Sequence, residues 1–92
     1  MSITTQTLYI SRKSKHGALS EALSHLKTYS LNVSGCLGFE VFQCDEEVNE
    51  FLVYEQWQDQ NSLDVFKKSD IYKLFLKQKE TLVYRTENLN LM

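Results

Sequence analysis

Apolar and polar positions alternate most clearly between Ser34 and Trp57, SGCLGFEVFQCDEEVNEFLVYEQW. In a first run, Cys36 to Gln43, Leu37, Phe39 and Val41 share one face, and Gly38, Glu40 and Phe42 share the other. In a second run, Phe51 to Trp57, Phe51, Val53, Glu55 and Trp57 alternate with Leu52, Tyr54 and Gln56. A period of two among β-branched and aromatic residues predicts two strands. Asp45 to Asn49 between them is polar and lacks an Asn-Gly or Asp-Gly pair, so a hairpin loop longer than two residues is expected. Large side chains on both faces of the second strand imply a sheet covered on both sides.

The same reading extends to the rest of the chain. Ile3 to Ser11 alternates and predicts a first strand, followed by a polar connection from Arg12 to Gly17. Leu19, Ala22, Leu23 and Leu26 recur at helical spacing and predict a helix over His16 to Ser34, with Ser14 as a cap and Gly35 as a left-handed stop. Gln58 to Ser69 reads as a short helix capped by Asp59 or Asn61, with Leu63 and Phe66 inward. Ser69 then caps a helix from Asp70 to about Lys79, whose main face is Ile71, Leu74, Phe75 and Gln78, with Tyr72 and Leu76 as a second stripe. Thr81 to Leu91 alternates again and closes the chain as a fourth strand. The order β-α-β-β-α(α)-β is the α+β, ferredoxin-like split βαβ pattern, an antiparallel sheet with helices on one face. Cover for the other face is most economically supplied by a second copy of the domain.

Composition narrows the function. A chain of 92 residues makes one domain, spanning 1–92. A domain of this size buries only about 60–65% of its unfolded surface, and oligomerisation is a common remedy. Five Tyr, five Phe and one Trp would crowd so small a core, so some should line a pocket or an interface. A net charge of −2 with no basic cluster beyond Arg12 to Lys15 and scattered lysines argues against nucleic acid. No apolar run reaches about 18 residues, so no membrane span is expected. MSITTQTLYI lacks the basic and apolar regions of a secretory leader, and the cytoplasm is the expected compartment. Cys36 and Cys44 stand at opposite ends of one predicted strand, about 26 Å apart at strand rise, and cannot pair. They read as buried structural thiols, and no Cys/His cluster suggests a metal.

Gly35-Cys36-Leu37-Gly38-Phe39-Glu40, Glu55-Gln56-Trp57, Ser62-Leu63-Asp64 and Ser69-Asp70-Ile71-Tyr72 carry a resemblance that spans nearly the whole chain. At these spacings the sequence resembles the antibiotic biosynthesis monooxygenase domain family. The resemblance implies a dimeric α+β barrel, two ferredoxin-like subunits joined through their sheets. It also implies a cofactor-free oxygenase acting on a quinol or another phenolic ring. Many members carry two histidines where this chain has Phe66 and Ile71. Heme-degrading relatives resemble the Lys68 to Lys73 segment but place their heme ligand where this chain has Leu76, which cannot ligate iron. No cofactor and no metal are therefore expected.

Cofactor-free oxygenation needs the substrate deprotonated and its anion stabilised. His25, Glu55 and Arg85 are the candidates for that work: a base near the apolar stripe, a base within a strand, and an anion-stabilising cation. Each has a plainer alternative as a surface or ion-paired residue, as does Glu40. Trp57, Tyr54, Phe66, Tyr72, Tyr9 and Phe42 are candidates to line an aromatic pocket for a small aromatic molecule, with core packing as the alternative for Trp57. The competing function is a non-catalytic, dimeric binding protein for an aromatic metabolite on the same scaffold.

Overall fold

The structure, a computed structural model, describes residues 2–89. Its elements are β1 Ile3–Ser11, α1 His16–Ser30, β2 Cys36–Gln43, β3 Glu50–Trp57, α2 Gln60–Lys67, α3 Asp70–Leu82 and β4 Val83–Asn88. Among the described residues the strands form one sheet in the order β2-β3-β1-β4, antiparallel throughout. This is the α+β ferredoxin-like fold that the pattern predicts.

Register decides which residues share a face, because directly opposed residues point the same way. Tyr9 opposes Phe51, Thr7 opposes Val53, and Thr5 opposes Glu55. On the other side of β3, Phe39 opposes Glu55 and Val41 opposes Val53. This face packs on Leu19, Leu23 and Leu26 of α1, Leu63 and Phe66 of α2, and Phe75 of α3. Trp57, Phe39, Phe51, Phe66 and Phe75 are its largest fully buried side chains. Each is worth about 1.5–3 kcal/mol of burial, so these rings dominate the core of a short chain. Leu8, Ile10, Leu52 and Tyr54 point to the opposite face and are only half-buried; Phe42 on that face is exposed.

Two bulges depart from simple alternation. Between Cys36 and Gly38 the β2–β3 register shifts, and the extra residue, Leu37, is 56% exposed rather than in line with Phe39 and Val41. A second shift at Ile10/Ser11 pairs Ser11 with Val83 but Ile10 with Arg85, so Tyr84 is skipped and stands exposed. An inserted residue reverses the facing of everything beyond it. Arg85 therefore lies on the face away from the helices. The final strand also starts later than expected, because α3 runs on through Leu82. Its expected continuation to Leu91 lies outside the described residues.

The helix ends have local causes. The Asp59 carboxylate accepts the Ser62 backbone N–H at 2.8 Å and caps α2, which holds that carboxyl below its usual range. Ser69 Oγ accepts the Tyr72 N–H at 3.2 Å and caps α3. Ser14 does not cap α1; it takes a positive φ of 64°, and Lys15 occupies the cap position without a side-chain bond. The first helix stops at Ser30, short of the expected Ser34, and Ser30 Oγ donates to the Leu26 carbonyl in its last turn. Gly35 lies beyond that end, at φ 91°, where its carbonyl accepts the Gln58 N–H at 2.7 Å. A Cβ there would collide with the Ser62 side chain of α2. The glycine thus sets how closely α2 docks beside Trp57.

Gly35→Ala should lower the urea unfolding stability by about 1–3 kcal/mol, from left-handed strain and the Ser62 collision. Gly38→Ala, with nothing within 4 Å of the new methyl, should change it by no more than about 0.5 kcal/mol. Equal effects would remove the account of Gly35.

Candidate active-site cavity

The helix-facing side of the sheet is unevenly filled. Around Phe39, Phe51, Val53 and Trp57 it carries large apolar groups. Toward β1 and β4 it carries Thr5, Thr7, Thr86 and Asn88, which are shorter and polar. The helices cannot close onto these as they do onto aromatic rings. A cavity of about 300 Å³ remains between that part of the sheet and α2 and α3.

Glu55 enters the cavity because it is in phase with Phe51, Val53 and Trp57 on β3. The Trp57 indole Nε1–H donates to Glu55 Oε1 at 2.9 Å. Trp57 itself is fully buried and packs on Phe66, ring centroids 4.8 Å apart. Phe66 lies 5.1 Å from the Tyr72 ring, and Tyr72 and Phe66 form the helical wall. Tyr9 sits edge-on to Phe75 at 5.7 Å and closes another side, with Lys79 Nζ 5.5 Å from its ring centroid.

The electrostatics give the ring of groups distinct roles. Burial pushes the Glu55 carboxyl above its ordinary value, against the indole hydrogen bond and the charge of Lys67, which pull it down. Burial likewise pushes the Tyr9 phenol up, reinforced by Tyr72 and Glu55. The Tyr72 phenol rises for the same first reason, with Glu55 as the second. Both tyrosines therefore stay protonated at neutral pH as hydrogen-bond donors. Glu55 is the carboxyl in the cavity, and burial makes it a stronger proton acceptor than an exposed glutamate.

Of the residues singled out from sequence, the fold brings Glu55, Tyr9, Phe66 and Tyr72 together. Trp57 stands behind the cavity as a core residue that bonds Glu55, so the core-packing alternative and a positioning role hold together. The others lie elsewhere. His25 is exposed on α1, in a shallow depression with Ala22 and Gln78, because Leu23 and Leu26 take the turn that faces the sheet. Arg85 is exposed on the far face and paired with Glu87. Tyr54 and Phe42 are also on that far face, by the same alternation that turns Glu55 inward. Glu40 pairs with Lys27 at 3.1 Å. Neither cysteine is a buried thiol: Cys44 is exposed beyond the end of β2, Cys36 is half-buried beside the bulge, and both are free. Among the described residues no group of three His, Cys, Asp or Glu could hold a metal ion.

Thr5, Thr7, Leu63, Lys67, Lys79, Thr86 and Asn88 complete the lining, and of these the sequence pattern marks only Leu63 as facing inward. Thr5 and Thr7 share the phase of Tyr9, a signal present in the sequence. Thr86 and Asn88 needed the bulge at Ile10/Ser11 to be known.

The antibiotic biosynthesis monooxygenase family model matches residues 3–78. Solved structures share the fold. A protein from Pseudomonas aeruginosa is 22% identical, with a TM-score of 0.88 over 92% of this chain and 86% of that one. A protein from Nitrosomonas europaea, described as a candidate antibiotic biosynthesis monooxygenase, is 16% identical, with a TM-score of 0.90 over 96% of this chain and 86% of its own. A conserved protein from Methanosarcina mazei Go1 is 25% identical, with a TM-score of 0.85 over 96% and 88%. No curated protein matches the sequence.

A carboxyl held above its unfolded value binds its proton more tightly in the folded state. Its contribution to stability is full below the unfolded value and is lost as pH rises through the folded one. Glu55→Gln, which keeps an acceptor for the indole, should therefore melt higher than the wild type at pH 7–8. The gap should close below about pH 4, near the unfolded glutamate value. A variant that melts lower at every pH would show that the Glu55 charge stabilises the fold.

Proposed function

The chain belongs to the antibiotic biosynthesis monooxygenase family, and on that premise we propose that it oxidises a small phenol or quinol-type ring with molecular oxygen, without a cofactor. The observation that carries this reading is Glu55, half-buried and held by Trp57 in a cavity walled by Phe66, Tyr72 and Tyr9. A flat ring fits against Phe66 and Tyr72 with its hydroxyl toward Glu55. The carboxylate takes the phenolic proton. Tyr9, Tyr72 and the threonines donate hydrogen bonds to the phenolate, and the bound ring displaces water from in front of Glu55.

The phenolate then gives one electron to oxygen, producing an aryloxyl radical and superoxide. The pair joins at a ring carbon that bears hydrogen, and the resulting hydroperoxide loses water. One oxygen atom ends as a quinone carbonyl and the other as water, with the substrate supplying the electrons. Glu55 takes the phenolic proton and hands it to the newly formed peroxide anion, then takes the proton of that ring carbon as the O–O bond breaks and returns it to the departing hydroxide. This assigns Glu55 as the base in place of His25, and the two tyrosines as the anion's partners in place of Arg85.

The protein works, in this reading, as a cytoplasmic homodimer. Leu8, Ile10, Leu52, Tyr54 and Phe42 form an apolar patch among the polar and charged side chains of the open sheet face, and a second sheet laid on it would cover them. Among the described residues no helix is long and apolar enough to cross a membrane.

Purified protein, freed of metal, should consume oxygen with naphthols, dihydroxynaphthalenes or anthrones, and Glu55→Gln should lose about 10²–10⁴-fold of that rate. Saturable binding without oxygen consumption would instead establish the binding-protein function, which the lack of a histidine in the described lining favours. Light scattering at micromolar concentration should give twice the chain mass of 10.8 kDa. A mass of one chain would rule out the sheet-to-sheet assembly.

A further inference from the structure

The charges around the cavity are not those of a site for a neutral ring. Its charged lining residues are Glu55, Lys67 and Lys79. Two ammonium groups against one carboxylate leave it net positive, although the chain as a whole carries −2. The lysines come from different elements, the last turn of α2 and the last turn of α3. Helix dipoles favour a cation at each of those places, but they do not account for both converging on one opening. Lys67 is close enough to act electrostatically on Glu55, and Lys79 lies over the Tyr9 ring. Neither lysine is ion-paired among the described residues, where the ion pairs join Lys27 to Glu40 and Arg85 to Glu87.

Size and lining narrow the occupant further. About 300 Å³ is at the small end of ligand pockets, enough for one or two fused rings rather than a large polycycle. The floor of Thr5, Thr7, Thr86 and Asn88 offers hydroxyl and amide groups, which suit an oxygenated ring better than a bare one. We infer that the cavity selects one- or two-ring hydroxyarenes carrying an anionic substituent, a carboxylate or a phosphate monoester, which Lys67 and Lys79 hold at the mouth while the hydroxyl meets Glu55. This rests on the reading of the cavity as a phenol site. The anion fixes which end of the ring points inward, a task that Phe66 and Tyr72, as flat walls, cannot perform.

The test is calorimetric titration of the full chain with three probes that share one ring: a dihydroxynaphthalene, the matching dihydroxynaphthoate, and a hydroxynaphthyl phosphate. At least one anionic probe should bind tenfold or more tighter than the neutral one, and that preference should shrink as salt is raised. Whichever anion binds tighter identifies the substituent. Lys67→Gln/Lys79→Gln, both substitutions lying at exposed or half-exposed positions, should reduce the preference below twofold, and Lys67→Arg/Lys79→Arg should keep it. Equal affinity for neutral and anionic probes in the wild type would overturn the inference and leave the phenol site standing. Failure of all three to bind would remove the phenol site itself, and the inference with it.

Discussion

The site depends on a single hydrogen bond, from the Trp57 indole to the Glu55 carboxylate. A carboxylate turned into a core is costly unless something donates to it. A bond to a charged acceptor is worth about 1.5–3 kcal/mol, enough to offset part of that cost. The two residues are two apart on one strand, so both point inward and their side chains can meet. Phe66 packs on the indole and fixes its plane. Among the described residues no buried side-chain nitrogen or oxygen lacks a partner, so the polar group is accommodated without leaving an orphan.

From that bond the rest of the arrangement follows. Gly35 lets α2 approach closely enough for Phe66 to reach Trp57. Ser69 caps α3 at the point where Tyr72 turns toward the sheet. Threonines in place of aliphatic residues on β1 leave room in front of Glu55. Large rings on one half of the sheet hold the domain together; small polar residues on the other half leave the cavity. The same division explains why the carboxyl is raised yet remains reachable: it is buried by the rings behind it and open to the space before it.

Much of this was legible in the chain. The alternation of Phe51, Val53, Glu55 and Trp57 states that Glu55 faces inward, and Asp59 and Ser69 announce the starts of two helices. The β-α-β-β-α order is enough for the fold class. What escaped were features that act across strands. One extra residue at Leu37, and another at Tyr84, reverse the facing of what lies beyond, and nothing local to either residue signals it. Tyr54 and Phe42 have the aromatic character of pocket residues, but alternation sends both to the open face. His25 had chemistry to recommend it and geometry against it. Lys67 and Lys79 could not be grouped with Glu55 until the docking of α2 and α3 was known.

The central claim is that Glu55, tuned by Trp57, is the working ionisable group. The most direct test is the pH dependence of kcat/KM for oxygen consumption in wild type and Trp57→Phe. The account predicts one rising limb, set above the ordinary glutamate range, that moves to higher pH when the indole donor is lost. A limb that does not move in Trp57→Phe, or a profile flat from pH 4 to 8, would contradict it.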